Sequence, residues 1–259
     1  MIHEKFKKLL KKPIWRVWYW IVSLKDKGDE VRFMNYGYSG ENPPILHKED
    51  ETERYPLQLY DLLASSVTVE DKHMLEVGCG RGGGSSYISR YFKPKHYSAV
   101  DLSGKAISYC KKAYKQDNLT HMQGDAQNLP FENASFDVVI NVESSHCYPD
   151  ISEFFNEVYR VLRPGGVFLY TDLRNQGNVE FLKEKLLEMP FEVMKYENIT
   201  ANVLNALKID SDRREDLVNR IAPKFMLSTA YVFAGVKDSK TYQLFENGWY
   251  EYFFYVLKK

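Results

Sequence analysis

The sequence predicts an α/β fold built as a doubly wound, mostly parallel sheet with helices on both faces. Three observations carry it. From His73 onward, short apolar runs alternate with stretches of helical periodicity. The first run leads directly into a glycine-rich loop, Gly78-Cys79-Gly80-Arg81-Gly82-Gly83-Gly84. Acidic residues, Asp101 and Asp125, follow the next two runs, at the carboxyl ends of strands where open α/β sheets bind ligands.

The elements follow in order. Residues 1–27 form a basic aromatic block with a surplus of six positive charges, and Trp15, Trp18 and Trp20 interleave with its Lys and Arg. Such a block suits an amphipathic helix, which would either rest on an anionic membrane or pack as a lid. Residues 28–56 are expected to be irregular, because Gly28, Gly37, Gly40 and the Pro43-Pro44 pair break regular structure. Leu57–Ser66 reads as a helix. Strands are expected at His73–Val77, Tyr97–Asp101, Leu119–Gln123, Phe136–Val142 and Gly166–Asp172, with helices near Ser85–Tyr91, Gly104–Lys115 and Ser152–Leu162 between them. Right-handed crossovers then make the sheet parallel. Beyond residue 175 a helix near Asn178–Glu188, a strand at Phe191–Tyr196, helical stretches at 200–222 and 224–236, and a terminal strand at Tyr250–Leu257 complete the pattern.

Composition narrows the class. The chain has 259 residues, 44% hydrophobic and 27% charged, which is ordinary for a folded soluble protein. Lys and Arg balance Asp and Glu at 35 each, so nucleic-acid binding by net charge is not expected. Cys79, Cys110 and Cys147 give neither an even set nor a C-x-x-C pair. A disulfide framework and a zinc site are therefore disfavoured, and a reducing, cytoplasmic setting is expected. The apolar stretch Ile14–Leu24 is interrupted by Arg16 and falls short of the roughly 20 residues of a membrane span. It has no small-residue cleavage site, so no secretory signal is expected. Aromatics, 15% of the chain, crowd at both ends, as core or as the wall of a pocket for a large apolar substrate.

The glycine loop alone does not fix a cofactor. Gly78-x-Gly80-x-x-Gly83 also satisfies the dinucleotide fingerprint and would admit a nicotinamide enzyme. The surrounding series separates the two: Glu76 before the first glycine, Val100-Asp101-Leu102-Ser103, Gly124-Asp125-Ala126, Ser135-Phe136-Asp137 and Leu162-Arg163-Pro164-Gly165-Gly166. In order and spacing this series resembles the class I S-adenosylmethionine-dependent methyltransferases, over about residues 54–175. The resemblance implies a Rossmann-like, seven-stranded, mostly parallel sheet with an antiparallel last strand, plus an N-terminal helix and a helical lid. Residues 1–56 would be the N-terminal helix and lid segment, and 57–259 the catalytic domain with a lid insertion at about 198–240. It also implies S-adenosylmethionine as cofactor, bound by Gly78 and Gly80 at the methionine part. Asp101 and the adjacent Leu102 would serve the ribose, Asp125 the adenine amino group, and Ala126 the ring face. Glu76 would orient the loop or reach the amino end through water.

The reaction asks for a base. Methyl transfer from a sulfonium is an in-line displacement, so the protein aligns the nucleophile and manages its proton. A hydroxyl acceptor loses a proton on attack, and histidine is the side chain best suited to take it. The fourth strand runs into Asn141-Val142-Glu143-Ser144-Ser145-His146, and the fifth ends at Tyr170-Thr171-Asp172-Leu173-Arg174. As neighbours in the family's sheet they bring His146 and Asp172 to one edge, a base and its orienting carboxylate. Glu143 is a second acid/base candidate or a structural group near the adenosine. No carboxylate cluster suggests a magnesium site, and no metal is expected.

Val31-Arg32-Phe33-Met34-Asn35-Tyr36-Gly37-Tyr38 and Glu53-Arg54-Tyr55-Pro56-Leu57 are similar to bacterial methyltransferases acting on phthiotriolone-type lipids and polyketide hydroxyls, microcystin-type tailoring enzymes among them. That similarity implies O-methylation of a hydrophobic, hydroxylated natural product. Carbon or nitrogen methylation of a lipid or sterol-like acceptor stays open, as does cofactor binding without catalysis.

Overall fold

A computed structural model describes residues 30–259. The N-terminal helix expected at residues 1–27, with its membrane or lid role, lies outside the described residues. No helix among the described residues is long and apolar enough to cross a membrane.

Seven strands form one sheet: β1 (His73–Val77), β2 (His96–Asp101), β3 (Leu119–Gln123), β4 (Phe136–Val142), β5 (Leu162–Asn175), β6 (Glu192–Asn198) and β7 (Tyr250–Lys258). Their spatial order is β3-β2-β1-β4-β5-β7-β6. The first five pair in parallel, and β7 runs antiparallel to both β5 and β6. The order reverses between β1 and β4, which opens a crevice at their carboxyl ends. The predicted mostly parallel, seven-stranded doubly wound sheet is the one observed.

Nine α-helices complete the described residues: α1 (Arg54–Ala64), α2 (Gly83–Tyr91), α3 (Gly104–Ala113), α4 (Ile151–Val161), α5 (Gln176–Leu187), α6 (Thr200–Ile209), α7 (Ser211–Ile221), α8 (Leu227–Ala234) and α9 (Lys240–Glu246). Three of them start on side-chain caps written in the sequence, and at α9 Ser239 accepts from the Tyr242 N–H. Asp150 accepts from the N–H groups of Ser152 and Glu153, and Ser103 from that of Ala106.

Strand alternation splits the core into two layers. Met74, Ile140, Val142, Leu169 and Phe254 face Leu59 and Leu63 of α1 and Ile88 of α2. Leu75, Val77, Val139, Phe168 and Phe253 face Phe154, Phe155 and Val158 of α4. The aromatic C-terminus is thus core on both sides of β7, although Trp249 stays 45% exposed. Four expectations shift. β5 begins at Leu162 and bulges before Val167, where pairing with β4 jumps from Phe136↔Leu162 to Val138↔Val167. It continues to Asn175 because β7 pairs with it that far. The stretch 200–222 breaks at Asp210 into α6 and α7, and α9 has no counterpart in the sequence reading.

Candidate active site

The glycine loop turns at the carboxyl end of β1. Gly78 has φ +80° and Gly80 φ +53°, left-handed values that side chains disfavour. A Cβ on Gly78 would stand 2.3 Å from Ser144 Oγ, and one on Gly80 would stand 2.7 Å from Met34 Cε. The left-handed turn therefore requires the bare backbone at both positions, and at Gly78 the close approach of Ser144 requires it as well. Its N–H groups are tied down: Gly78 and Cys79 donate to the Val100 carbonyl, and Gly80 donates to Asp101 Oδ2 at 2.8 Å.

Asp101 closes β2 beside this loop. Its other oxygen accepts from Ser103 N–H at 2.8 Å. Burial raises its pKa, and the two backbone donors oppose that. Two donors leave half of a carboxylate's acceptor sites open, a set suited to a vicinal diol. The donor chemistry and the bare loop fit the ribose and methionine parts of S-adenosylmethionine. Leu102 is 70% exposed next to Asp101, Asp125 is exposed and accepts from Gln127 N–H at 2.9 Å, and Ala126 is buried. These residues stand on the two loops that follow β2 and β3.

Glu76 is fully buried under the loop, where it accepts from Tyr60 Oη at 2.9 Å and Tyr97 Oη at 3.2 Å. Burial pushes its carboxyl up to about 7, against the pull of the two tyrosines. It binds α1, β1 and β2 into one unit beneath the glycines. Glu143, half-buried just after β4, is likewise held by hydrogen bonds. Its φ of +47° is left-handed, a costly state for a residue with a Cβ. Two donors hold it there, Tyr36 N–H at 2.8 Å and Tyr252 Oη at 2.7 Å. Its carboxyl too is pushed to about 7, chiefly by burial.

Tyr36 belongs to a strap, residues 31–38, that crosses the glycine loop. Met34 approaches Gly80, and Phe33 approaches Gly83. Arg214 of α7 fixes the strap from the other side, donating to the Asn35 and Tyr36 carbonyls at 3.3 and 3.0 Å.

β4 and β5 bring His146 and Asp172 together. His146 sits on a short 3₁₀ turn, Ser145–Cys147, and its Nδ1 lies 2.8 Å from Asp172 Oδ1. Asp172 is fully buried, and its Oδ2 accepts from Ser145 Oγ at 2.5 Å and His146 N–H at 3.0 Å. Burial opposes charge on the imidazole, but the Asp172 carboxylate outweighs it and raises His146 well above its ordinary value. Asp172 is shifted below the usual carboxylate range, since His146 and Arg174 together overcome its burial. The imidazole remains 35% exposed, and Cys147 beside it also favours its charged form. Such a dyad can take a proton or hold an anion. Among the described residues no group of three His, Cys, Asp or Glu is placed to hold a metal ion.

The sequence reading missed the groups that hold these residues: Tyr36, Tyr60, Tyr97, Tyr252, Ser145 and Arg174. The one signal was the count of 19 tyrosines, since a buried phenol needs a hydrogen-bond partner.

Comparison with known proteins bears on what this site does. A family model described as a methyltransferase domain matches residues 75–170. Phthiotriol/phenolphthiotriol dimycocerosates methyltransferase of Mycobacterium tuberculosis (strain ATCC 25618 / H37Rv) is 39% identical over 251 residues, 96% of this chain and 93% of its own. Fatty-acid O-methyltransferase of Mycolicibacterium smegmatis (strain ATCC 700084 / mc(2)155) is 43% identical over 203 residues, 77% and 74% of the two chains. Among solved structures, the cyclopropane synthase MmaA2 from Mycobacterium tuberculosis superposes with a TM-score of 0.69 at 14% identity, covering 93% of this chain and 98% of that one. The [4+2]-cyclase SpnF gives 0.71 at 17% identity, covering 96% and 95%. These two share the fold, and their differing titles illustrate that fold does not set chemistry. The near-full-length identity to curated methyltransferases does carry the family, and the chain belongs to the class I S-adenosylmethionine-dependent methyltransferases.

Proposed function

We propose that this enzyme methylates an oxygen of a hydrophobic, lipid-like acceptor, with His146 as general base and Asp172 as its orienting partner. The observation that carries the reading is the 2.8 Å contact between His146 Nδ1 and a fully buried Asp172. With Nδ1–H donating to Asp172, Nε2 is the ring nitrogen that receives the proton. The bound cofactor supplies the methyl group and its positive sulfur. Gly78 and Gly80 accommodate its methionine part, Asp101 with Leu102 its ribose, and Asp125 with Ala126 its adenine. Glu76 and Glu143 support this cradle from below and from the β4 side.

The acceptor class draws support from the relatives, whose names specify a phthiotriol lipid and a fatty acid. Helices α6–α8 act as the lid and the strap as its hinge-side partner, an arrangement supported by the Arg214 bonds to Asn35 and Tyr36. Between them lies a small cavity of about 60 Å³, lined by Phe33, Met34, Leu217 and Phe233 together with the charged Glu53 and Arg213.

A second reading has a specific observation behind it. The Asp172 carboxylate raises the pKa of His146 and so favours its imidazolium form, and a fatty-acid carboxylate needs no base. His146 would then anchor the carboxylate.

The testing experiment has two stages. Calorimetric titration of S-adenosylhomocysteine, with NADH as control, checks the cofactor. Transfer of a labelled methyl group to long-chain alcohols, phenols and fatty acids by wild type and His146→Ala then checks the acceptor and the dyad. Product analysis that places the methyl on carbon or nitrogen would overturn the reading.

A further inference from the structure

We infer that Arg174 is a positioning residue of the dyad: it shares the charge of Asp172, so that His146 is oriented by the carboxylate without being locked as its counter-ion. This rests on the assignment of His146 and Asp172 above. Arg174 lies at the end of β5, two residues beyond Asp172, and its side chain is only 11% exposed. Its Nη1 stands 3.2 Å from Asp172 Oδ2. Its Nη2 donates to Ser145 Oγ at 2.8 Å, the same hydroxyl that donates to Asp172 at 2.5 Å. The guanidinium therefore braces both the carboxylate and the turn that carries His146.

The electrostatic consequence follows from the burial. A single cation facing a fully buried carboxylate would hold its proton strongly, because little solvent screens the pair. Here the carboxylate has a basic partner on each oxygen, since the His146 imidazole takes Oδ1 and the Arg174 guanidinium takes Oδ2. The other charged or titratable groups around the dyad are Glu143 and Cys147 on the β4 exit, Tyr148 beyond them, Tyr170 on β5, and Tyr252 on β7 through Glu143. Among these described groups, Arg174 is the permanent cation in contact with Asp172.

The test uses Arg174→Gln, Arg174→Met and Arg174→Lys in the full-length enzyme. Removing the charge leaves the Asp172 field to His146 alone, which favours the imidazolium. The acid limb of kcat/KM for a hydroxylated acceptor is expected to move to higher pH, with a loss of about tenfold at neutral pH that alkaline buffer restores. Arg174→Lys is expected to return the limb close to wild type, and the Kd for S-adenosylhomocysteine should stay unchanged in every variant. Titrating His146 by ¹⁵N-imidazole NMR, without any acceptor, reads the same effect directly. A His146 midpoint that does not rise in Arg174→Gln would overturn the inference. A raised midpoint together with full activity of His146→Ala would instead uphold the role of Arg174 and refute the base assignment.

Discussion

The dyad makes opposite predictions for the two acceptor classes, and pH separates them. Suppose the acceptor is a hydroxyl. His146 must be neutral to take its proton, and its pKa is raised by Asp172. Activity then climbs with pH, about tenfold per unit, until the imidazolium has lost its proton. The limb lies above the ordinary imidazole range. If the acceptor is a carboxylate, the imidazolium is the working form, and activity falls across the same interval. His146→Ala supplies the magnitude. Loss of a positioned base costs about 10²–10⁴ in kcat, equivalent to roughly 3–5 kcal/mol of transition-state stabilisation. Loss of an anchoring cation appears instead as a higher KM with kcat largely kept. The assay is a full kcat and KM profile from about pH 6 to 9.5, on one long-chain alcohol or phenol and one fatty acid. A profile that does not respond to His146→Ala on either acceptor would refute both roles for the dyad.

Four further outcomes follow from the same geometry. Asp172→Asn should lower kcat by about 10²–10⁴, measured in the methyl-transfer assay; Asn is preferred to Ala because it keeps the side-chain shape and an oxygen that accepts from Ser145 and the His146 N–H. Asp101→Ala should raise the calorimetric Kd for S-adenosylhomocysteine about 10–100-fold, as expected for lost charge-assisted hydrogen bonds, and Asp101→Asn less. Glu76 has its pKa raised on folding, so it is protonated in the folded state between pH 4.5 and about 7; its stabilising share is lost as pH rises through that window. Glu76→Gln should therefore raise Tm relative to wild type at pH 8 and lose that advantage at pH 5, by scanning calorimetry. Glu143→Ala removes both bonds to Tyr36 N–H and Tyr252 Oη; amide exchange at residues 31–38 should accelerate while Glu143→Gln, whose oxygen still accepts, stays near wild type.

How much of this was legible in the sequence depends on whether the information is local. Strand alternation is local, and so are the caps at Ser103 and Asp150 and the left-handed turns of Gly78 and Gly80. Each could be read before the sheet order was known. His146 and Asp172 lie 26 residues apart, but both stand at strand ends, and the rule that parallel neighbours β4 and β5 share a carboxyl edge brings them together. The strap was not legible in structural terms. Residues 31–38 have no helical or strand period, and the bonds that fix them come from elsewhere in the chain, among them those of Glu143 and Arg214, 107 and 178 residues away from Tyr36.

Glu143 shows most clearly why such groups escape a reading of the chain. A glutamate at φ +47° looks like an error of local preference, and its cause is entirely tertiary: an amide from the strap on one side and a phenol from the last strand on the other. The same two bonds place it where strap, β4 exit and β7 meet, three residues before His146. The burial that pushes its carboxyl to about 7 follows from that position. Any movement that opens the strap would hydrate Glu143 and lower its pKa, so strap closure and proton uptake at Glu143 are linked in this fold. Folding the strap down is thus favoured as pH falls toward the ordinary carboxylate value and weakened above about 7. The exchange rates of residues 31–38, followed against pH in wild type and Glu143→Gln, should show this dependence in the former and its absence in the latter.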